Sequence, residues 1–519
     1  MKLCETKIVN KVGDHSKSVL SKAWRSGNSR DLRMSSNRRI RTLLGHLRSG
    51  SEISGSGSSF LHLQRGLRSK STMAASKDFY DVVCVGGGNS AGYLAKNLVD
   101  LDYTKTKKVA IVCGEPVPPY ERPALSKAFL HPPDAKVRAR LPGFHTSVGG
   151  GGERQLPEWY EEHNIDLLTS TKAIALNAEG NEVTVEGHGS TYNIRFEKLV
   201  LATGARALTP ADIKTENADL GNVFTIREEE ETRQLVNTLE ANKDSIKNIV
   251  IVGGGYIGME TAAAFSGWGF NITMVMPEDQ LMQRLFPKEV AEVFENYFSA
   301  KGIKVHKGNS VTGLVPSKDD EKVVGGVKLD SGDVIDAEAV IYGVGARVDT
   351  SLAEDLVKTG EGRTGGYAVN GSFRTSKENI FAIGDIAAVN GKQRFEHVDF
   401  CRRSAAQAAK AIVENGDVPD MKYLPYFYSR LFEYTDTPLI FQFYGNSDTS
   451  GDVSVKTFGD LKGALSTGAN EKVPGFGAAW VDSSDIVKGL MYCNGSPEQY
   501  EKAKTAVVES AKFSSTMLD

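Results

Sequence analysis

The 519-residue sequence predicts an α/β chain with two Rossmann-like dinucleotide-binding domains and a C-terminal α+β domain. Two glycine-rich runs, Gly86-Gly87-Gly88-Asn89-Ser90-Ala91-Gly92 and Gly253-Gly254-Gly255-Tyr256-Ile257-Gly258, lie about 165 residues apart, and each follows a short apolar stretch that reads as a buried strand. From about residue 422 the pattern changes to alternating aromatic and β-branched residues, the mark of an antiparallel sheet. One glycine run alone also fits an unliganded turn before a helix. Two in this order and spacing point to two dinucleotides held face to face.

Residues 1–77 carry nine Arg and seven Lys against four acids, a net charge of +12, which leaves −15 on residues 78–519. This segment is rich in Ser and Arg and has no apolar stretch long enough for a secretory signal. It reads as an organelle transit peptide for the chloroplast stroma or the mitochondrial matrix. The alternative is a basic tail that binds nucleic acid, but no aromatic or zinc-ligand pattern accompanies the charge. Met73 offers a second start for a cytosolic form. The expected divisions are a leader over 1–77, a first nucleotide domain over 78–220 and 344–400, a second over 221–343, and a C-terminal domain over 401–519.

Five cysteines, Cys4, Cys84, Cys113, Cys401 and Cys493, show no C-x-x-C spacing, which argues for a reducing compartment and against a redox disulfide or a metal site. Cys84 and Cys113 fall in or beside predicted buried strands and read as small core residues. No apolar run reaches the length of a membrane span. The chain is expected to act as a monomer on a small molecule.

Each glycine run has the same physical logic. A buried strand (82–85; 249–252) ends in glycines that make a tight turn, admit a pyrophosphate close to the backbone, and open a helix whose positive N-terminus faces the phosphates. Gly86, Gly88 and Ala91 hold the small positions in the first run; Gly253, Gly255 and Gly258 hold them in the second. After the first helix, 109–113 reads as the next strand, and Glu115 can accept hydrogen bonds from ribose hydroxyls. Arg122 and Lys127 offer cations near the pyrophosphate, although each alone also reads as a solvated surface charge. A helix is predicted around 156–162, and 198–206 reads as a strand ending in a small-residue turn.

In the second unit, the strand 272–276 leads to Glu278, 25 residues beyond Gly253. A carboxylate there favours a free ribose 2′-hydroxyl, so NADH is expected, while Arg284 leaves NADPH possible. The stretch 380–385 returns the chain to the first domain. Asp385 can hold the hydroxyls of a ribityl chain, or serve as an ordinary turn aspartate. A helix is predicted from about His397–Asp399 to Asn415-Gly416, and its N-terminal dipole suits an anionic reduced flavin.

The quoted segments, together with Glu121-Arg122-Pro123-Ala124-Leu125-Ser126-Lys127, residues 141–145 and the glycine run after them, residues 277–286, Glu396-His397-Val398-Asp399 and Tyr423-Leu424-Pro425-Tyr426-Phe427-Tyr428-Ser429-Arg430, closely resemble the plant monodehydroascorbate reductases of the flavin-containing disulfide-reductase-like superfamily. The likeness spans residues 78 to about 500, and residues 141–162 and 277–286 with the leader look most like its chloroplast and mitochondrial branch. It implies FAD contacts at Gly88, Asn89, Ser90, Ala91, Glu115, Arg122, Lys127, Ala173, Arg206, Ala207, Asp385 and Val398. It implies NAD contacts at Gly254, Gly255, Tyr256, Ile257, Gly258, Met259, Glu260, Glu278, Arg284, Gly345, Glu396 and His397. The ascorbate radical would meet Arg402 and Arg430, with Tyr428 beside both cofactors. Where the family usually has His and Ala after that Asp, this chain has Phe400 and Cys401, a departure expected to bear on the substrate side and not on the flavin.

The resemblance implies hydride transfer from NADH to FAD and two single-electron transfers to two radicals. A flavin can take up electrons in pairs and release them singly. Arg402 and Arg430 are the cations expected to draw the anionic radical. Arg403 lies about 100° around the helix from Arg402, so both cannot face one small ligand. Tyr428 reads as an electron relay or gate and equally as a plain packing aromatic; Tyr426, two residues away, shares its strand face and is the competing choice. Two other readings remain at this point, an NADH reductase serving a ferredoxin-like protein and an apoptosis-inducing-factor-like flavoprotein.

Overall fold

The computed structural model describes residues 79–135, 154–362 and 364–519. The chain divides into two units between Ser76 and Lys77, and all the described residues belong to the second. The leader, Met73 and the segments 141–145 and 149–152 lie outside the described residues.

Four short apolar runs and the second half of a long one form the first parallel sheet, in the order Ile165–Leu168, Val109–Val112, Phe79–Val85, Ser190–Leu201, Ile380–Ala382. The Ser190–Leu201 strand serves two environments. Its first half alternates exposed and buried residues and pairs antiparallel with Glu182–Gly187, which in turn pairs with Thr171–Asn177. Its last four residues are all buried, as a strand sandwiched between layers requires. The predicted strand at 380–382 therefore does return the chain to this sheet.

The second parallel sheet runs Lys304–Lys307, Asn271–Met276, Asn248–Val252, Ala339–Tyr342, Val223–Thr225. Alternation along its strands sends Val250, Val252 and Val340 to one face, against the antiparallel strands Val311–Pro316 and Val324–Leu329. Ile249, Ile251 and Ile341 go to the other face, against the helices Glu229–Ala241, Tyr256–Phe265 and Lys288–Ala300.

The C-terminal sheet is antiparallel, ordered Tyr426–Leu431, Leu439–Gly445, Val487–Cys493, Phe476–Val481, Ser454–Gly459. The helix Pro497–Val508, opened by a Ser496/Gln499 capping box with proline in its first turn, covers one of its faces. Its other face shares a core with the second nucleotide domain: Phe441 meets Phe286 and Phe294 with ring centroids 5.3 and 5.5 Å apart.

The helix Val398–Glu414 is capped by His397 and stops at Asn415 in the left-handed region, φ 52°, as its sequence predicts. It packs on the helix Asn89–Asp100 of the first domain. The boundary expected after residue 400 therefore falls inside a continuous helix, and the C-terminal sheet starts only at Tyr426.

Candidate cofactor and substrate site

The two glycine runs build cradles of one design. Gly86 has φ +126°, and a Cβ there would lie 2.2 Å from the Ala202 carbonyl oxygen; Gly253 has φ +116°, and its Cβ would lie 2.4 Å from that of Gly343. Only glycine fits either place. Gly88 is different: a Cβ there would meet nothing nearer than the Arg122 guanidinium at 3.4 Å, and at Gly255 it would meet no atom within 4 Å. Each of these two glycines caps its helix, Asn89–Asp100 or Tyr256–Phe265, without a side-chain bond. The space over each helix N-terminus is thus open and lined by amide donors, which fits a pyrophosphate.

Around the first cradle, Asn89, Ser90, Glu115 and Ala91 are buried. Glu115 accepts from Arg122, from the Tyr120 hydroxyl at 2.8 Å and from the Glu229 amide at 3.3 Å. Ala173 lies on the strand whose first residue, Thr171, donates to the Cys113 carbonyl at 2.9 Å, beside Glu115. Asp385 holds Arg227 on Oδ2 at 3.1 Å and receives the Cys401 thiol on Oδ1 at 3.6 Å. Arg206 points elsewhere: its exposed guanidinium grips Asp212 at 2.6 and 2.7 Å. Its neighbour Ala207 pairs with Ala346, and Leu208 donates to the Gly345 carbonyl at 3.0 Å, so the segment leaving the first nucleotide domain is paired with the one that returns to it.

On the second cradle, the loop that carries Glu278 and Arg284 is tied down by the Met282 amide, which donates to the Gly254 carbonyl at 2.9 Å. Glu278 is half-buried and Arg284 exposed. Tyr256 rests edge-on against Phe427, centroids 5.2 Å apart, and Met259 and Gly258 are buried with the helix behind Ile257. Glu396 pairs with Arg394 at 2.5 Å. His397 accepts from the Asp399 amide through Nδ1 at 3.2 Å, and burial lowers its pKa to about 4, with Lys127 and Arg402 adding to the effect while Asp399 and Asp385 oppose it. Val398 follows as the first residue of that helix.

Glu260 sits where all these segments meet. It is 3% exposed. Its Oε2 takes the Lys127 ammonium at 2.9 Å and the Ser126 hydroxyl, and its Oε1 takes the Ser429 hydroxyl at 2.6 Å. Lys127, read as a pyrophosphate cation, is thus committed instead to a carboxylate of the second domain.

The expected substrate residues engage different partners. Arg402 donates to the Tyr93 hydroxyl at 2.8 Å and to Glu121 at 3.2 Å. Burial works against its charge, but Glu121 and Tyr93 more than offset it and hold its pKa above the ordinary value. Arg403 turns to Asp399 at 2.8 Å, away from Arg402 as the helix geometry requires. Tyr428 and Arg430 share one face of their strand with Tyr426, and Arg430 pairs with Glu433 at 3.1 Å. Phe427 and Ser429, on the opposite face, meet Tyr256 and Glu260.

One expectation is overturned. Phe400 is wholly buried against Phe373, Phe395 and Tyr423, inside the first domain. Cys401 points to Asp385, and burial followed by that carboxylate pushes its thiol far above the usual range. The departure from the family pattern therefore touches the core and the Asp385 cluster. Helix phase decides this, because Phe400 and Cys401 lie on the face that packs inward, with Ser404 and Ala405 one turn on.

Reading the residues alone missed Arg227, Ser126, Ser429, Tyr93 and Glu121. The period of two along 426–431 places Ser429 on the buried face with Leu431, a signal that was available. Arg227 lies in a loop and carries no pattern.

Comparison with known proteins follows this geometry. Residues 80–411 match the family signature described as pyridine nucleotide-disulphide oxidoreductase, and residues 424–517 match that of the monodehydroascorbate reductase 3-like C-terminal domain. A monodehydroascorbate reductase of Solanum lycopersicum is 40% identical over 84% of this chain and 95% of its own length. The chain belongs to the monodehydroascorbate reductase family. A second member of the family, the chloroplastic/mitochondrial monodehydroascorbate reductase of Arabidopsis thaliana, is 39% identical over 84% of this chain and 83% of its own length. The family is built on a fold shared with putidaredoxin reductase in its covalent complex with putidaredoxin, TM-score 0.69 at 24% identity over 85% of this chain and 95% of that one. Membership brings a flavin and a nicotinamide cofactor, and the two open cradles fit them.

Two outcomes are expected. Gly255→Ala places a methyl in open space, so the melting temperature should stay within about 2 °C while the nicotinamide cofactor binds roughly tenfold more weakly by titration; Gly253→Ala should destabilise the fold outright. For His397, a folded pKa below the unfolded value means its contribution is present above about pH 6.5 and is lost as the pH falls toward 4. In urea titrations, His397→Asn, which keeps a cap without titrating, should show a shallower loss of stability across that window.

Proposed function

We propose that this chain uses NADH, through bound FAD, to reduce monodehydroascorbate radicals to ascorbate. The observation that carries this reading is the coincidence, in one chain, of two open phosphate cradles with a C-terminal domain of the monodehydroascorbate reductase type. In balance, one NADH and one proton reduce two radical anions to two ascorbate monoanions and NAD⁺. The flavin supplies the acceptance of a hydride and the release of its electrons one at a time.

The side chains do the rest. Amides at Gly88, Asn89, Ser90 and Ala91 would hold the FAD phosphates, with Arg122 beside them and Glu115 on the ribose. Asp385, pinned by Arg227, would accept from ribityl hydroxyls. Glu278, whose carboxylate has no partner among the described residues, would take both ribose hydroxyls of NADH and disfavour a 2′-phosphate. Lys127 brings a cation, fixed by Glu260, to the region between the two cradles, where it favours an electron-rich ring. Arg430 and Arg402 would attract the radical anion, with Tyr428 and Tyr426 on the approach face.

Relatives carry chloroplastic, mitochondrial and peroxisomal names, so organelle forms exist in the family. The basic, acid-poor leader supports import into the chloroplast stroma or the mitochondrial matrix. A fluorescent fusion of residues 1–77 should enter one of these organelles; diffuse cytosolic signal would reject the assignment.

Purified protein should be yellow, bleach with NADH under argon, and regain its colour when ascorbate radical is generated. Persistence of the reduced state in the presence of radical would refute the function. Arg430→Ala should raise the KM for the radical about tenfold with the NADH half-reaction unchanged.

A further inference from the structure

Ser429 is wholly buried, and its hydroxyl donates to Glu260 Oε1 at 2.6 Å. Its neighbours on that strand face, Phe427 and Leu431, are large and apolar. A small polar residue between them leaves room for a carboxylate to reach in from the Tyr256–Phe265 helix, and answers it with a hydrogen bond. The two carboxylate oxygens then have separate duties. Oε1 is bonded to the C-terminal domain, and Oε2 holds Lys127 at 2.9 Å together with Ser126.

A carboxylate bound on one oxygen alone can rotate and share its remaining partners between both oxygens. The hydroxyl of Ser429 removes that freedom. With it in place, Lys127 is presented at one point; without it, Oε1 becomes a buried charged acceptor lacking its donor, and the pair relaxes toward whichever arrangement satisfies both oxygens.

We propose that Ser429 is a positioning residue for flavin reduction, acting through Glu260 to fix the Lys127 ammonium between the two cradles. This rests on the function proposed above and extends it to a residue of the C-terminal domain. It also gives the strand two roles, because Tyr428 and Arg430, on either side of Ser429, face the other way. One short segment then sets the charge beside the hydride acceptor with one face and meets the radical with the other.

The test separates the two half-reactions. Anaerobic stopped-flow with the flavin-loaded protein follows reduction by NADH and reoxidation by enzymatically generated ascorbate radical in the parent, Ser429→Ala and Ser429→Thr. Ser429→Ala should keep its flavin, lose a few degrees of melting temperature, lower the limiting reduction rate about tenfold, and leave both the half-saturating NADH concentration and the reoxidation rate within about twofold. Ser429→Thr, which retains the hydroxyl, should restore most of the reduction rate. Parental reduction in Ser429→Ala, equal slowing of both half-reactions, or no rescue by threonine would each overturn the proposal. A parent protein that holds no flavin, or is not reoxidised by the radical, would instead overturn the function itself, and that is read without any variant.

Discussion

A buried carboxylate has to be answered from every side, and Glu260 joins its own helix to two other parts of the chain. The Tyr256–Phe265 helix delivers it, the loop after the first cradle supplies Ser126 and Lys127, and the first strand of the C-terminal sheet supplies Ser429. Removing one partner from such a group leaves charge without compensation, at a cost of about 3–5 kcal/mol for a buried ion pair. The relative placement of the two nucleotide sites is therefore held by a polar bond network as well as by apolar packing. Lys127 and Ser126 would not meet Glu260 if the two domains closed in a different register.

Both cradles lie at the carboxyl ends of parallel strands, where this class of sheet leaves a crevice. Their glycines divide the work. Gly86 and Gly253 press against neighbouring strand ends and admit no side chain, while Gly88 and Gly255 stand over open space. The first kind serves the fold and the second serves a ligand. The antiparallel pairing of Ala205–Ala207 with Ala346–Val348 ties together the two connections between the nucleotide domains.

What the sequence discloses depends on whether a local rule governs the feature. Strand–glycine–helix units, the Asn415 stop and the alternating C-terminal strands follow from short-range stereochemistry, and all are found as read. The orientation of Phe400 and Cys401 does not, because it depends on which face of their helix the first domain covers. Arg402 is another case: a cation was expected from the chain, but its bonds to Tyr93 and Glu121 exist only once residues far apart in sequence are brought together. Arg206 differs in that its partner, Asp212, is only six positions on, but which acid claims it still depends on how the chain turns there. Charges in a sequence show what chemistry is present; tertiary pairing decides which of them remain free.

The apolar layer formed by Phe286, Phe294 and Phe441 belongs in equal measure to the second nucleotide domain and to the C-terminal sheet. Two regions that carry separate family signatures have no separate interiors. They cannot be exchanged between relatives like beads on a string, because an aromatic ring altered on one side leaves a gap or a clash on the other. Over generations, the nicotinamide-binding half and the acceptor-facing half must drift in step, and a graft that ignores this would inherit a mismatched seam.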